Sequence, residues 1–363
     1  MTSTIARSRY TTNGLEDTSS WYLHWFDAHN VFAGYTDIRG LRSVTGGKSW
    51  SYNYSGHTLN TMYQAQMSQL TGVTYAATSG THDMFQDTHV SPTVCDKGEG
   101  RVISSTDKGA SWQVLHEFGH PVTMVAASPI KPHTLYAAVV DTETGGIWIS
   151  TDIDKGNSSS WSKMPAPNRT VGHPYNIHAL EDGSLVATFS CSMDEKTDTF
   201  SASAGVFVWP VGGSAWEDRS HPRMHKWTKD LVIDTNDKSQ STWYVGVFRN
   251  WGGSSATDPD GTPDQLAGGL FRTTNRGKSW VEVSNVTRVD SCAVSPSDPN
   301  LVFFTTDGEG MWVSKDAASA SPTFVRDDRY DFAHPSRVFF DPYDSNAVWA
   351  TSFGSGLRKL SLK

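Results

Sequence analysis

The sequence predicts an all-β fold: a single propeller of seven four-stranded antiparallel blades, with residues 1–363 forming one domain. Three observations predict it. The composition combines 14 Trp, 16 Phe, 12 Tyr and 31 Gly with only 19% charged residues, which suits strands joined by tight turns. A turn motif recurs along the chain. A pair of apolar strands also recurs, at a period of about fifty residues, the length of a propeller blade.

The turn motif has eight positions. Ser or Thr stands at position 1, an Asp-like residue at position 3, Gly at position 5 and Trp at position 8. Its clearest copy runs from Ser105 through Asp107 and Gly109 to Trp112. Asp accepts hydrogen bonds from turn N–H groups, Gly supplies positive φ, and Trp packs the following strand onto its neighbours. Other copies, some of them eroded, begin at Ser43, Ser150, Gly212, Thr273 and Ser314. The motif therefore predicts a hairpin turn in successive blades.

Seven apolar strand pairs accompany these turns. Clear examples are TLYAAVVDTETGGIWIS and LVFFTTDGEGMWVS, in which a Gly opens the second strand of the pair. The last pair reaches the C-terminus without a turn or fourth strand of its own. Residues 9–17, RYTTNGLED, read as that missing strand. We therefore expect the ring to close by pairing of the N- and C-terminal segments, which removes exposed sheet edges.

The segment VLHEFGHPVTM places His116, Glu117 and His120 in the H-E-x-x-H pattern of zinc metalloproteases. In that motif two His share one helix face and bind the metal, while Glu activates water. A helix is not expected here, because Pro121 disfavours helical backbone at the residue before it and a predicted hairpin lies just upstream. The match therefore does not predict a protease.

The recurring turn resembles the Asp box, or BNR repeat, of sialidases, sortilin-type receptors and xyloglucan-degrading glycoside hydrolases, and the resemblance covers the whole chain. It implies a seven-bladed propeller whose ligands bind over the central axis. It implies no single function, because such turns stabilise blades in enzymes and binding proteins alike.

The expected ligand face lies opposite the Asp-box turns and is built by loops between second and third strands and by crossings between blades. Three of those loops are long, at residues 79–100, 191–205 and 249–268, and long loops on a rigid scaffold often carry function. The candidate catalytic residues on this face are Asp37, His82, Asp83, His89, His173, Tyr175 and Arg249. The candidate substrate-binding residues are Arg39, Asn60, His178, Trp251, Asp307, Glu309, His334 and Arg337.

Several of these candidates have a structural alternative. Asp37, Asp141 and Asp307 occupy equivalent loop positions, where they would equally serve as loop caps. His82 and His89 would equally be solvated loop residues. Together with Cys95 these two histidines leave open a zinc site, although their spacing matches no recognised class. No metal site is predicted.

The segment YTDIRG around Asp37 resembles the Thr-Asp-Ile-Gly-Gly segment that presents a catalytic carboxylate in xyloglucanases. The resemblance implies glycoside hydrolysis of an extracellular polysaccharide, with Asp37 as the base. Arg39 replaces a Gly of that segment, and those enzymes pair two propellers where this chain predicts one. The acid would then come from the same face, from Asp83, Asp307 or Glu309, because hydrolysis requires two carboxyl groups at a suitable separation.

Polysaccharide cleavage by β-elimination is the alternative. A His or Tyr base would remove the proton α to a uronate carboxylate, while a cation stabilises the developing enolate. The residues that suit these roles are His82, His89, His173, Tyr175 and Arg249. A third hypothesis is a non-catalytic propeller that binds glycans or peptides. Fold analogy orders the three as hydrolase, lyase and binding module.

The remaining expectations concern partners and location. A net charge of −8 without a basic stripe argues against nucleic acid, and no apolar run is long enough to span a membrane. Cys95, Cys191 and Cys292 make an odd count, so at least one stays outside an intramolecular disulfide. The start lacks the apolar core of a signal peptide, yet a polysaccharide substrate would place the protein outside the cell or in a periplasm. We expect a monomer that requires no cofactor, with a structural cation on the axis left open.

Overall fold

The structure is a computed structural model that describes residues 18–82, 84, 89–197, 199–226, 228–248 and 268–362. Seven antiparallel sheets follow one another along this part of the chain, and each forms one blade. The predicted all-β, seven-bladed fold class is confirmed.

The first four blades contain the following elements in chain order. Blade 1 has β1 (Ser20–Trp25), β2 (Val31–Tyr35) and β3 (Gly40–Ser43). Blade 2 has β4 (Thr61–Met67), β5 (Thr74–Ser79), the loop elements β6 (His89–Val90) and α1 (Pro92–Cys95), β7 (Gly100–Ser105) and β8 (Gln113–Glu117). Blade 3 has β9 (Val122–Ala127), β10 (Leu135–Val139), β11 (Gly146–Ser150), a 3-10 helix (Ile153–Ser158) and β12 (Ser162–Lys163). Blade 4 has β13 (Pro174–Ala179), β14 (Leu185–Phe189), the loop strands β15 (Cys191–Asp194) and β16 (Thr199–Phe200), β17 (Gly205–Trp209) and β18 (Glu217–Asp218).

The remaining blades continue the same order. A 3-10 helix (Pro222–Met224) leads into blade 5, which has β19 (Thr228–Ile233), β20 (Trp243–Val247), β21 (Gly269–Thr273) and β22 (Val281–Ser284). Blade 6 has β23 (Val289–Ser295), β24 (Asp298–Thr306), β25 (Gly310–Ser314) and β26 (Val325–Arg326). Blade 7 has β27 (Pro335–Phe340), β28 (Ala347–Ser352) and β29 (Leu357–Ser361).

The first strands of the seven blades form a closed circle around the axis. β1 contacts β4, β4 contacts β9, and the series continues through β13, β19 and β23 to β27, which returns to β1. Five blades have four strands each. In blade 1 the fourth strand is reduced to a bridge between Arg42 and Ser51. Residues 9–17, the predicted fourth strand of blade 7, lie outside the described residues.

The first and last blades meet through backbone and hydroxyl hydrogen bonds. Ser20 Oγ donates to the carbonyl of Gly356 at 2.7 Å and accepts from the N–H of Ser352 at 3.1 Å. The N–H of Gly356 donates to the carbonyl of Thr18 at 3.0 Å. The two ends of the described chain therefore join where ring closure was predicted.

The core lies between the blades. Every residue of β2, β5 and β10 is buried, because each sheet is covered on both faces by its neighbours, and such strands read as continuous apolar runs. Trp243 and Trp349 are at most 2% exposed. Burial of each large apolar side chain stabilises the fold by about 1.5–3 kcal/mol relative to exposure.

The recurring turn joins the third and fourth strands of a blade. Between β7 and β8, Ser105 Oγ accepts from the N–H of Gly109 at 2.9 Å, and Asp107 Oδ1 accepts from the N–H of Ser111 at 2.8 Å. Gly109 has φ of +73°, and a Cβ there would lie 2.9 Å from the ring of Phe26. The turn therefore requires Gly both for its backbone conformation and for close packing.

The H-E-x-x-H segment is not helical, as predicted. His116 and Glu117 end the strand β8, and the His116 ring packs against Phe118 and Trp161. His120 follows in the crossing to blade 3, where its Nδ1 lies 3.2 Å from an oxygen of Asp141. In the described residues no helix is both long and apolar enough to cross a membrane.

Candidate functional site

Three neighbouring inner strands carry charged side chains near the ends that face the predicted ligand side of the ring. Lys229 and Asp230 lie near the start of β19, Asp290 near the start of β23 and Arg337 near the start of β27. The inner strands of the ring all run in the same direction, so their first residues all lie at the same opening of the central channel. The charged groups of blades 5, 6 and 7 are thereby brought together.

These side chains line a pocket at the axis. It is narrow, with a cavity volume of about 30 Å³ below its open mouth. The polar part of its lining is Lys229, Asp230, Asp290, Ser291, Asp307, His334, Ser336 and Arg337. The aromatic part is Trp21, Tyr175 and Phe353. Convergent polar groups beside aromatic side chains are features of small-molecule and sugar sites.

Asp230 and Arg337 form the floor of this pocket. Arg337 Nε lies 3.1 Å from Asp230 Oδ2, and Ser291 Oγ donates to the same oxygen at 2.7 Å. Asn176 Nδ2 donates to Asp230 Oδ1. Asp230, Ser291 and Arg337 also line a second cavity further along the axis. These three polar residues therefore lie between two compartments of the central channel.

Asp290 forms one wall of the pocket. Its carboxylate pairs with Lys229, whose side chain is 2% exposed and whose Nζ lies 4.8 Å from the centre of the Phe248 ring. Burial raises the pKa of Asp290 to about 6, although the charge of Lys229 opposes this, and the negative charge of Asp307 adds to the increase. A carboxyl group with such a pKa is protonated in part near neutral pH and can act as an acid.

Asp307 faces the same pocket and lies near two basic side chains. Arg288 Nη2 lies 2.8 Å from Oδ2, and His334 Nδ1 lies 2.5 Å from Oδ1. Both contacts are short enough to be ion pairs, but neither has the angles of a hydrogen bond. Both oxygens are buried and accept no hydrogen bond from the described residues. The Asp307 carboxylate is therefore enclosed between these two basic side chains at the edge of the pocket.

The sequence-predicted residues divide between this pocket and other places. Tyr175, Asp307, His334 and Arg337 line the pocket together. His178 lies in the second cavity, with Nε2 2.8 Å from the carbonyl of Leu231.

Asp37 and Arg39 of blade 1 lie beside Asn60 in the crossing to blade 2, and all three are outside the pocket lining. Asn60 accepts from the N–H of Asp37 at 3.0 Å and donates to its carboxylate at 3.2 Å. Asp37 and Arg39 are exposed and have φ of +65° and +68°. Arg39 thus adopts a conformation that favours Gly, at the place where the resembled xyloglucanase segment has Gly.

His173 is fully buried at the junction of blades 2, 3 and 4, where its Nε2 lies 3.7 Å from the Sγ of Cys95. Burial lowers the pKa of His173 to about 4, so its ring is neutral at pH 7. The three cysteines of the chain are buried thiols without a disulfide. His173 therefore does not line the axial pocket with Tyr175.

His82 and Glu309 are exposed. Asp141 serves as a loop cap, because it accepts from the N–H of Glu143 at 3.1 Å and from the hydroxyl of Thr144 at 2.7 Å. The three equivalent aspartates thus have different surroundings. Asp37 is exposed, Asp141 caps its loop, and Asp307 lines the axial pocket.

Some predicted candidates lie outside the described residues: Asp83, Arg249 and Trp251. For His89 only the backbone is described, and it pairs in parallel with Cys191. The roles assigned to all candidate residues remain predictions.

Sequence reasoning missed Lys229, Asp230 and Asp290. Their signal is present in the segments TKDLV and RVDSCAV, where charged residues open strands that are otherwise buried. Buried charges occur mainly where they are paired or functional, so this pattern could have identified them.

No protein-family model and no curated protein matches the chain. Solved structures match its fold. An extracellular domain of a hybrid two-component system from B. thetaiotaomicron superposes with a TM-score of 0.64 at 13% identity, covering 97% of this chain and 41% of that one. The GH74 xyloglucanase from Xanthomonas campestris gives 0.59 at 14% identity, covering 89% and 49%. YCF48 from Cyanidioschyzon merolae gives 0.59 at 13% identity, covering 95% and 96%. The chain spans less than half of the first two proteins, and at such identity the likeness shows the fold alone.

Proposed function

We propose that this protein is a glycoside hydrolase-like enzyme that cleaves a neutral polysaccharide bound at the mouth of the axial pocket. The observation that carries the proposal is a pair of carboxyl groups in this pocket. Asp290 and Asp307 both line it, but their immediate surroundings differ. Burial raises the pKa of Asp290 to about 6, whereas the Asp307 carboxylate lies 2.8 Å from Arg288 and 2.5 Å from His334. Two carboxyl groups in unlike environments are the usual machinery of glycoside hydrolysis.

In the proposed reaction Asp290 is the general acid that protonates the glycosidic oxygen as the bond to the leaving sugar breaks. Lys229, paired with Asp290, then stabilises the carboxylate that remains. Asp307 is the second carboxylate and either takes a proton from water or attacks the sugar, according to the separation of the two groups. Phe353, the partly exposed aromatic side chain of the lining, supplies surface for a sugar ring.

The charges of the pocket favour a neutral substrate over a uronate. Lys229 already pairs with Asp290, and Arg337 already pairs with Asp230. A lyase needs a cation for the uronate carboxylate and the enolate that develops from it. Because both permanent cations of the lining pair with carboxylates, the pocket supports hydrolysis better than β-elimination.

The similarity to solved structures is compatible with this proposal and also with a binding role. The matches include a xyloglucanase and a YCF48 propeller bound to D1 peptide. The proposal carries with it a location outside the cell or in a periplasm, where polysaccharides occur. It requires no cofactor and assumes that the monomer is active.

The test incubates the purified full chain with a panel of neutral and uronate-containing polysaccharides. New reducing ends and the ultraviolet absorbance of unsaturated uronate are followed in the same samples. Reducing ends without absorbance are the expected result. Both signals together would identify a lyase and contradict hydrolysis, and His334 and Tyr175 would then be the bases to substitute. No signal with any member of the panel would contradict both enzymatic functions and favour a binding module.

A further inference from the structure

A second polar cluster lies at the junction of blades 2, 3 and 4, away from the axial pocket. Cys95 ends the helix α1 in the long loop of blade 2, and Asp96 follows it. Thr142 lies in the loop after β10, and His173 directly precedes β13. Cys95 and His173 are both 0% exposed. Residues from three blades thus converge on one enclosed point.

The spacing of the side-chain atoms suits a small metal ion. Cys95 Sγ lies 3.7 Å from His173 Nε2 and 3.1 Å from Asp96 Oδ1. One candidate ligand atom from each of the three residues lies within 4.8 Å of the others. A tetrahedral zinc ion with bonds of about 2.0–2.3 Å holds its ligand atoms roughly 3.5 Å apart. The two shorter separations therefore differ from those of a zinc site by a few tenths of an ångström.

The surrounding contacts orient these groups as metal ligands are usually oriented. The N–H of Thr142 donates to Asp96 Oδ1 at 2.9 Å, which fixes the carboxylate. The Thr142 hydroxyl lies 3.3 Å from His173 Nε2. His173 Nδ1 is buried and forms no hydrogen bond with the described residues. Carboxylates that bind metals typically accept further hydrogen bonds, as Asp96 does here.

We propose that Cys95, Asp96 and His173 bind one zinc ion. The fourth position, beside the Thr142 hydroxyl, is taken by water. Thiolate and imidazole ligands select zinc over magnesium and calcium, which prefer oxygen atoms alone. Because the site is buried and joins residues of three blades, zinc bound there ties the long loop of blade 2 to blades 3 and 4.

The experiment uses the full chain, stripped of metal with a chelator and dialysed into metal-free buffer. Zinc is then titrated in, and bound metal per chain and the thermal midpoint are measured. One tightly bound zinc per chain and a rise of the midpoint by several degrees are expected, since a ligand that binds only the folded state stabilises it. Cobalt in place of zinc should show the intense visible bands of a tetrahedral site and a thiolate charge-transfer band.

The variants C95S, D96N and H173Q should lose the tightly bound zinc, whereas C292S, which alters a buried thiol in blade 6, should retain it. The chain has 13 His, so zinc held equally by C95S and D96N would show binding elsewhere and overturn the proposal. Less than one tenth of a zinc per wild-type chain would also overturn it. If C95S does not fold, D96N and the cobalt spectrum of the wild-type protein decide the question.

Discussion

Asp230 and Arg337 are joined by a buried ion pair that links blade 5 to blade 7, and the hydroxyl of Ser291 from blade 6 donates to the same Asp230 oxygen. The two side chains are 8% and 9% exposed. The pair therefore connects three inner strands at the floor of the axial pocket. Its contribution is structural support for the groups above it.

Removal of one partner of this pair should destabilise the ring. Arg337→Met leaves the Asp230 carboxylate buried without its cation, which typically lowers the free energy of unfolding by about 3–5 kcal/mol. Denaturant unfolding of the wild type and the variant measures the change. Lys155→Met is the control, because the Lys155 side chain in the pair with Asp152 is 62% exposed and exposed pairs contribute at most about 1 kcal/mol. Equal effects of the two substitutions would contradict a buried role for Arg337.

Asp290 should control the alkaline side of the pH profile of polysaccharide hydrolysis. Its pKa is about 6, and a general acid works in the protonated form, so kcat/KM should fall as the pH rises through about 6. Asp290→Asn should lower kcat/KM by roughly 100-fold or more and abolish this dependence, since general acids contribute about 10²–10⁴-fold. Asp154→Asn, at an exposed carboxylate in blade 3, is the control.

The second carboxylate can be assigned with two further variants. Asp307→Asn should also remove most of the activity, because Asp307 faces the pocket. A full loss in Asp37→Asn together with an active Asp307→Asn would instead make Asp37 the base, as the sequence predicted from the segment YTDIRG. A normal pH profile in Asp290→Asn would reject Asp290 as the acid.

The buried histidines should make the fold sensitive to acid. Burial lowers the pKa values of His24 and His57 to about 4, below the value of about 6.5 for an unfolded chain. The unfolded state therefore binds more protons between these values. The stability that these neutral rings provide is complete above pH 6.5 and is lost as the pH falls toward 4.

His57→Gln tests this directly. The slope of unfolding free energy against pH should decrease in the variant by up to about 1.4 kcal/mol per pH unit, the effect of one proton. Unfolding curves at several pH values between 4.5 and 7.5 measure it. His133→Gln is the control, because the His133 side chain is 52% exposed. An unchanged slope in His57→Gln would show that His57 does not titrate in this window.

The recurring turn between β7 and β8 should contribute modestly to stability. Asp107 accepts from the N–H and the hydroxyl of Ser111 at 2.8 and 2.6 Å. Asp107→Ala should lower the free energy of unfolding by about 1 kcal/mol, the usual net value of a protein hydrogen bond, and shift the thermal midpoint down by a few degrees. Thr106→Ala in the same turn, at an exposed position, should have no measurable effect. A larger loss in Thr106→Ala would contradict this account of the turn.

The blade architecture could be predicted because its signals are local. The Asp at position 107, the Gly at 109 and the Trp at 112 lie within a few residues of one another, and turn chemistry and strand pattern repeat with each blade. The same local reasoning excluded a helix at His116 and predicted which face of the ring carries the long loops. It could not tell that Asp141 caps its loop whereas Asp307 faces the pocket, since the two positions look alike in sequence.

The site itself depends on contacts that only the closed ring creates. Asp230 and Arg337 are 107 residues apart, and Cys95 and His173 are 78 apart, so no periodicity relates them. Burial, which raises the pKa of Asp290, is also a property of the assembled ring. The sequence alone determined seven blades and the face on which they present their loops, because strand period and turn chemistry act over a few residues. Tertiary structure decided which charged side chains meet at the axis, because that depends on how distant blades pack together.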